Sequence, residues 1–443
     1  MTTDPHPDTI PSVSLLPDWR FFRGPRALAY TPSCEDEHWQ PVILPHTWND
    51  EDMAPDRPML DAYQGVGWYR CRVHLRPQPG ERILLRLDAA TMEHEVWVDG
   101  SHLGGSDCGF LATRHDITEA LLPEVEEHCI AVRVSNAPQP GLMPPEVTDW
   151  ERYGGLIRPV WIERRGDAHF SLGGIALRTT ALDTHAATLQ ITCELREWAA
   201  GRDLRIVHRI SDPDGATVQE LERRIHSRRS ALCSDRVDAT LPEPLRWSPD
   251  APRLYRVRSE LYDGERLLDA CEQRIGLRTM VWDAQRGFLL NGERLELVGV
   301  NAHQDYPGCG HALPERFHRA EVAAIKAAGL NCLRGAHYPR HEAVLDACDE
   351  LGVLVIEELP FWHGSCRTQH GQALIDSAGR QARELVRQHG NHPSIIAWNT
   401  VNEIMHVPGF HEAHLPPEMR SGKHRLPAEE WAYARRVIGA LAD

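Results

Sequence analysis

From residue 282 onward, apolar and amphipathic stretches alternate four times. No other feature constrains the fold as much. Residues 295–300 read as an apolar strand. A helix is predicted over 315–328, after Leu313-Pro314 and closed by Gly329. Residues 331–333 form the next strand, and 341–351 a helix ended by Gly352. A strand over 353–356 precedes a helix over 374–389, ended by Gly390. Residues 395–398 are the fourth strand and 428–441 the last helix. Apolar strands alternating with amphipathic helices assemble into a parallel sheet. Four such units are half of an eight-stranded TIM barrel.

Upstream the grammar is all-β. Runs such as Arg82-Ile83-Leu84-Leu85-Arg86-Leu87 and Glu95-Val96-Trp97-Val98 are short strands. Asp99-Gly100 after the second is a hairpin signal. Pro and Gly punctuate the rest, as in a sandwich or jelly roll. Runs near 175–178, 188–195, 205–210 and 253–262, with the turn Asp212-Pro213-Asp214-Gly215, predict a second, immunoglobulin-like sandwich. A chain of 443 residues exceeds one compact core. The expected division is a jelly roll over 1–168, the immunoglobulin-like sandwich over 169–279 and the partial barrel over 280–443. Nothing chemical stands out in the middle unit, which reads as a spacer that orients its neighbours.

Composition narrows the partners. A net charge of −16 disfavours nucleic acid and anionic membrane surfaces. No run of 18 apolar residues predicts a membrane span, and residues 1–11 lack the pattern of a secretory signal. Eleven cysteines without a CxxC pair point to reduced thiols and a cytoplasmic location.

In a barrel, chemistry sits at the C-terminal ends of the strands. Here these ends read Asn301-Ala302-His303, Arg334-Gly335-Ala336-His337-Tyr338, Glu357-Glu358 and Asn402-Glu403, with Trp398 just before the last. Polar groups recur at all four. Each also has a plainer role: His303 and His337 as buried histidines with satisfied nitrogens, Arg334 as the partner of Glu357 or Glu358, those carboxylates as structural groups, and Trp398 as barrel filling. Glu403 resists such a role, because a carboxylate at a strand end is costly unless it is used or paired. One carboxyl group, Asn and His for hydroxyls, and aromatic faces suit the chemistry of glycosides.

At these residues the chain resembles glycoside hydrolase family 2, the family of β-galactosidases, β-glucuronidases and β-mannosidases. Arg334 to Pro339 and Asn391 to Glu403 carry the most specific matches. Leu44-Pro45-His46-Thr47-Trp48, Gly67-Trp68-Tyr69-Arg70, Tyr153-Gly154-Gly155-Leu156 and Leu245-Arg246-Trp247-Ser248-Pro249 support them in the expected order. The resemblance implies retaining cleavage of terminal β-glycosides, with Glu403 as general acid/base. It implies that Asn402 binds the sugar 2-hydroxyl, and that Asn301, His303, Arg334, His337 and Trp398 line the sugar subsite. Asp149 matches a loop acid that some members send into the barrel mouth.

The chain departs from the family pattern in places. Ala302 and Gln304 replace a basic residue and a Glu, and Thr400-Val401 replaces a Gly-containing pair. After Glu358 the sequence Leu359-Pro360-Phe361-Trp362-His363 lacks the Glu and His pattern of magnesium-holding members. No cofactor is therefore expected; only His363 keeps magnesium open. The family nucleophile is a second Glu on a later strand. None of Glu412, Glu418, Glu429 or Glu430 fits it, so the chain reads as truncated within the catalytic barrel. Three readings follow: a fragment of a β-glycosidase, a carbohydrate-binding or scaffold protein without catalysis, and a half-enzyme completed by another chain. Homo-oligomers are common in the family, and no interface is legible here.

Overall fold

The computed structural model describes residues 11–403 except 51–61, 146, 147, 149, 198–200, 227–231 and 363–369. The predicted helix over 428–441 and the residues Asp149 and His363 lie outside the described residues.

The first unit is a sandwich of two antiparallel sheets. A six-stranded sheet runs in the order Gln40–Ile43, Asp18–Arg23, Val66–Val73, His128–Ser135, Glu93–Val98, Ser101–Ser106. A four-stranded sheet orders Ser12–Leu15, Val160–Gly166, Glu81–Leu87 and Thr113–Asp116. Their inner faces close on Trp19, Phe21, Tyr69, Ile83, Leu85, Val96, Ile130 and Val132. Val96 and Val98 point inward while Glu95 and Trp97 alternate outward, the period of a strand with one buried face. Asp99 and Gly100 both take positive φ (48° and 88°), as a two-residue primed hairpin turn requires.

A second sandwich follows. Ala168–Leu182, Ala186–Glu197 and Leu232–Pro242 form one sheet; Thr217–His226, Asp203–Ser211, Tyr255–Asp263 and Arg266–Ile275 form the other. The Asp212 carboxylate accepts from the backbone N–H groups of Asp214 and Ala216, and Gly215 takes φ 90°, which fixes the expected turn.

The third unit is a parallel sheet in sequence order, Gly299–Ala302, Cys332–Gly335, Leu354–Glu358 and Ile395–Asn399. The connecting helices are α1 (Glu315–Ala327), α2 (Glu342–Leu351) and α3 (Gly371–His389). This is the expected half of a (β/α) barrel. One boundary differs: the first barrel strand starts at Gly299, not at 295. Glu293–Arg294 still pairs with the hairpin strand Gly287–Leu290, and Leu295 N–H donates to Phe288. Leu295 and Leu297 are drawn onto the cluster of Trp247, Phe288 and Leu354 before the ladder begins. Among the described residues Val298 and Val300, at the first strand of this sheet, stand exposed.

The three units lock onto one another through polar contacts. Trp247, fully buried, donates its indole N–H to Asp349 O at 2.9 Å. Asn391 Oδ1 accepts from Leu177 N–H, and its Nδ2 donates to Ile175 O, at 2.8 and 2.7 Å. Arg158 donates to Phe110 O and Pro339 O. Gly352 ends α2 in the left-handed region at φ 69°, 2.2 Å from Pro249 O at the position a Cβ would occupy, so only glycine fits there.

Candidate active site

The barrel strands bring their polar ends together because a parallel register aligns them. Asn301 lies beside Arg334, and Glu358 beside Asn399. Adjacent residues of a strand face opposite ways, so Glu357 and Glu358 separate. Glu357 accepts from Arg340 N–H at 2.9 Å and pairs with His389 Nδ1 at 3.0 Å. Glu358 turns to the other face and becomes the hub of a polar network.

Arg334 donates to both oxygens of Glu358, from Nε at 2.8 Å and from Nη2 at 3.1 Å, the planar bidentate match of guanidinium and carboxylate. His337 Nδ1 lies 2.6 Å from Glu358 Oε1. Asn399 Nδ2 donates to Oε2. Arg334 Nη2 also donates to Asn402 Oδ1 at 2.9 Å, and Nη1 reaches Asn301 Oδ1 at 3.5 Å. Three barrel strands thus meet at one fully buried carboxylate, and the first is linked to it through Asn301 on Arg334. Three cationic or amide donors satisfy it, which is how a buried charge is tolerated.

Around this hub the remaining residues sort by depth. His303 is exposed, its ring 5.3 Å from that of His337 and its Nδ1 3.3 Å from the Tyr338 hydroxyl. Asn301 and Trp398 are also exposed. Asn402 is half-buried. Its N–H donates to Phe361 O at 2.7 Å, which anchors the backbone just before Glu403. Glu403 is exposed and takes φ 47°, a left-handed turn immediately past the fourth strand. The geometry therefore gathers Asn301, His303, Arg334, His337 and Asn402 around one end of the sheet, with Glu403 on the chain that leaves it; Trp398, expected in the sugar subsite, is instead in register with Glu357 and so lies on the strand face opposite the Glu358 cluster. Asp149 lies outside the described residues.

Two supporting residues escaped the sequence reading as site members. Glu358 was legible only as one of two identical neighbours. Tyr338, fully buried, stacks on Phe110 of the first unit at 4.8 Å and accepts from Gln304 N–H at 3.1 Å. It joins the jelly roll to the barrel mouth.

Behind the mouth lies a neutral histidine layer. His318 in α1 is 1% exposed, its two ring nitrogens have no hydrogen bond among the described residues, and it stacks on His341 at 4.5 Å. Burial, then the charges of Arg340 and Arg158, pushes His318 down to about 3. Burial, then Arg158 and His318, pushes His341 down to about 2. The unfolded chain takes up these protons near 6.5; the folded one refuses them until far lower pH. Their stability is complete above 6.5 and drains away as the pH falls toward about 3. Replacing His318 by Phe is expected to flatten the pH dependence of unfolding free energy by about 1.4 kcal/mol per pH unit between those limits. Urea titrations at stepped pH measure that slope; an unchanged slope would mean that His318 already carries its proton in the folded chain.

Comparison with known proteins agrees with this architecture. The model of "Glycosyl hydrolases family 2, TIM barrel domain" matches residues 282–414, and that of "Glycosyl hydrolases family 2" matches 172–278. A β-glucuronidase of Bacteroides fragilis is 30% identical over 377 residues, covering 83% of this chain and 54% of that protein. "Beta-galactosidase BoGH2A" of Bacteroides ovatus is 28% identical, covering 88% of this chain and 46% of that protein. The crystal structure of a Bacteroides uniformis β-glucuronidase superposes with a TM-score of 0.85 at 32% identity, over 97% of this chain and 51% of the other. The chain spans about half the length of the curated relatives it matches. No helix among the described residues is long and apolar enough to cross a membrane. The two family models together cover more than half of the sequence, and the chain belongs to glycosyl hydrolase family 2.

Proposed function

We propose that this chain carries the general acid/base half of a retaining β-glycosidase acting on terminal β-glycosides. The observation that supports it best is the hub at Glu358. It fixes Arg334, His337 and Asn402 in one cluster just before Glu403. In the proposed reaction Glu403 protonates the departing glycosidic oxygen and later deprotonates the attacking water. Asn402 spends its Oδ1 on Arg334, which leaves its amide N–H groups for the sugar 2-hydroxyl. His303, His337 and Asn301 offer hydroxyl contacts to the sugar. A retaining mechanism also needs a carboxylate nucleophile about 5–5.5 Å from the acid. Glu358 is buried and committed to Arg334, His337 and Asn399, so it does not take that role. We assign the nucleophile to residues outside the described ones, in a completed barrel.

Names among the relatives make β-glucuronides and β-galactosides the first substrates to try. The ten cysteines that form no disulfide among the described residues favour a reducing, cytoplasmic setting. The test is an assay of nitrophenyl β-glucuronide and β-galactoside by the chain alone and after mixing with a polypeptide that carries the second half of a family 2 barrel. Turnover on mixing, absent from either half, is the expected result. Turnover by the chain alone would place the nucleophile within it. Sugar binding with no turnover in the mixture would favour a carbohydrate-binding protein instead.

A further inference from the structure

Two imidazoles converge on one carboxylate apart from the Glu358 hub. His389 is the last residue of α3, and His392 lies in the turn before the fourth barrel strand. His389 Nδ1 is 3.0 Å from Glu357 Oε1, and His392 Nδ1 is 2.6 Å from Asp349 Oδ2. Both of these carboxylates are buried. Each fixes one ring so that its Nε2 turns toward Glu342 of α2. The separations are 3.4 Å from His392 to Oε1 and 3.9 Å from His389 to Oε2. The rings stand 6.1 Å apart and nearly perpendicular. Asp346, one turn along α2, completes the group: donor atoms of Glu342, Asp346 and His392 all lie within 4.8 Å of one another.

A protonated His392 between Asp349 and Glu342 accounts for part of this arrangement. It does not account for His389, which is 3% exposed and whose Nε2 faces Glu342 beyond hydrogen-bond distance. Nor does it account for a recurring pattern in which each imidazole spends Nδ1 on a buried carboxylate and turns Nε2 toward Glu342, His392 to Oε1 and His389 to Oε2. That pattern is how metal-bound histidines are held: the outer carboxylate fixes the tautomer and makes the free nitrogen more basic. Glu342 and His389 also border a cavity of about 270 Å³ at the junction of the three units, with room for water beside them.

We propose that Glu342, Asp346 and His392 bind one divalent transition ion of the zinc class, with His389 beside it against Glu342 Oε2. Mixed imidazole and carboxylate donors suit such an ion better than magnesium or calcium, which prefer oxygen alone. The charges balance. Glu342, Asp346 and Asp349 bring three negative charges against Arg274 and the two of the ion, and any proton on His392 Nε2 passes to solvent as the bond to metal forms. Asp346 keeps its ion pair with Arg274 of the second sandwich, so the ion would tie that unit to α2 and to the turn after α3. The expectation of no metal rests on the residues after Glu358; this cluster is separate from them.

The test starts from the full chain stripped with a chelator, then titrated with zinc and with cobalt. One ion per chain is expected, with the visible absorption of cobalt in a nitrogen and oxygen site. Glu342→Gln and His392→Ala should abolish it. Asp349→Asn, which releases the ring without removing a ligand, should weaken it by about 10–100-fold. Far-UV circular dichroism checks each variant; should His392→Ala unfold, Glu342→Gln on the cavity wall gives the same answer. Three outcomes overturn the proposal: no stoichiometric ion, equal binding by the variants, or a cobalt–thiolate band that assigns the ion to cysteines. Retained calcium binding without any zinc or cobalt uptake would also overturn it, since an all-oxygen ion has no need of the imidazoles.

Discussion

Replacing Glu403 by Gln in the completed enzyme is expected to lower kcat/KM on alkyl β-glycosides by about 10²–10⁴-fold, the range a general acid contributes. Gln keeps the size and hydrogen-bonding reach of Glu but has no proton to give. An alkoxide leaves poorly, so the loss falls in full on the step that breaks the glycosidic bond. A dinitrophenolate needs little protonation, and the same step should fall less than about tenfold with a dinitrophenyl glycoside. The second step still lacks its base. A rapid burst followed by slow turnover is therefore the expected course with the activated substrate, and azide, which needs no deprotonation, should accelerate the slow phase. Equal losses on both substrates, with no burst, would remove Glu403 from the acid/base role.

The conformation around Glu403 explains why its place at a strand exit was legible early while its surroundings were not. The string from Asn391 to Glu403 contains the whole fourth strand, its polar exit and the carboxylate, so a local reading suffices. The barrel units were legible for the same reason: each is a short apolar strand followed by a periodic helix with a glycine stop, as Gly352 is for α2. The strand Thr217–His226 was not. Its residues Gln219-Glu220-Leu221-Glu222-Arg223-Arg224 are nearly all polar, and it lies at a sheet edge with no fully buried position. Its inward positions, Gln219, Leu221, Arg223 and Ile225, mix polar with apolar residues, so the hydrophobic alternation is too weak to see. Glu357 and Glu358 pose a different problem. They are chemically identical neighbours, and only the strand's register decides which faces Arg334 and which faces His389. The cluster at Glu342 fails for a third reason. Its donors come from α2 and from a turn 50 residues later, and only the packing of α2 against that turn joins them.

Glu358→Gln tests whether the hub is a structural device as well as a positioning one. Glu358 is fully buried and faces donors from Arg334, His337 and Asn399. Gln would keep one acceptor oxygen and turn an NH₂ group toward a wall of donors, leaving the Arg334 charge without its counter-ion. Breaking a buried pair in this way costs about 3–5 kcal/mol. Arg334 retains a quarter of its side-chain exposure, so water recovers part of that, and the lower end, about 3 kcal/mol, is the expected loss. Urea unfolding of the variant measures it. Arg334→Met alone should also destabilise, because it strands the carboxylate. The double variant should lose less than the sum, by about 1–3 kcal/mol, since neither charge is then left alone. Additive losses would show that the two side chains do not stabilise one another. An unfolding midpoint left in place by Glu358→Gln, with sugar binding changed, would instead make the hub only a scaffold for His337 and Asn402.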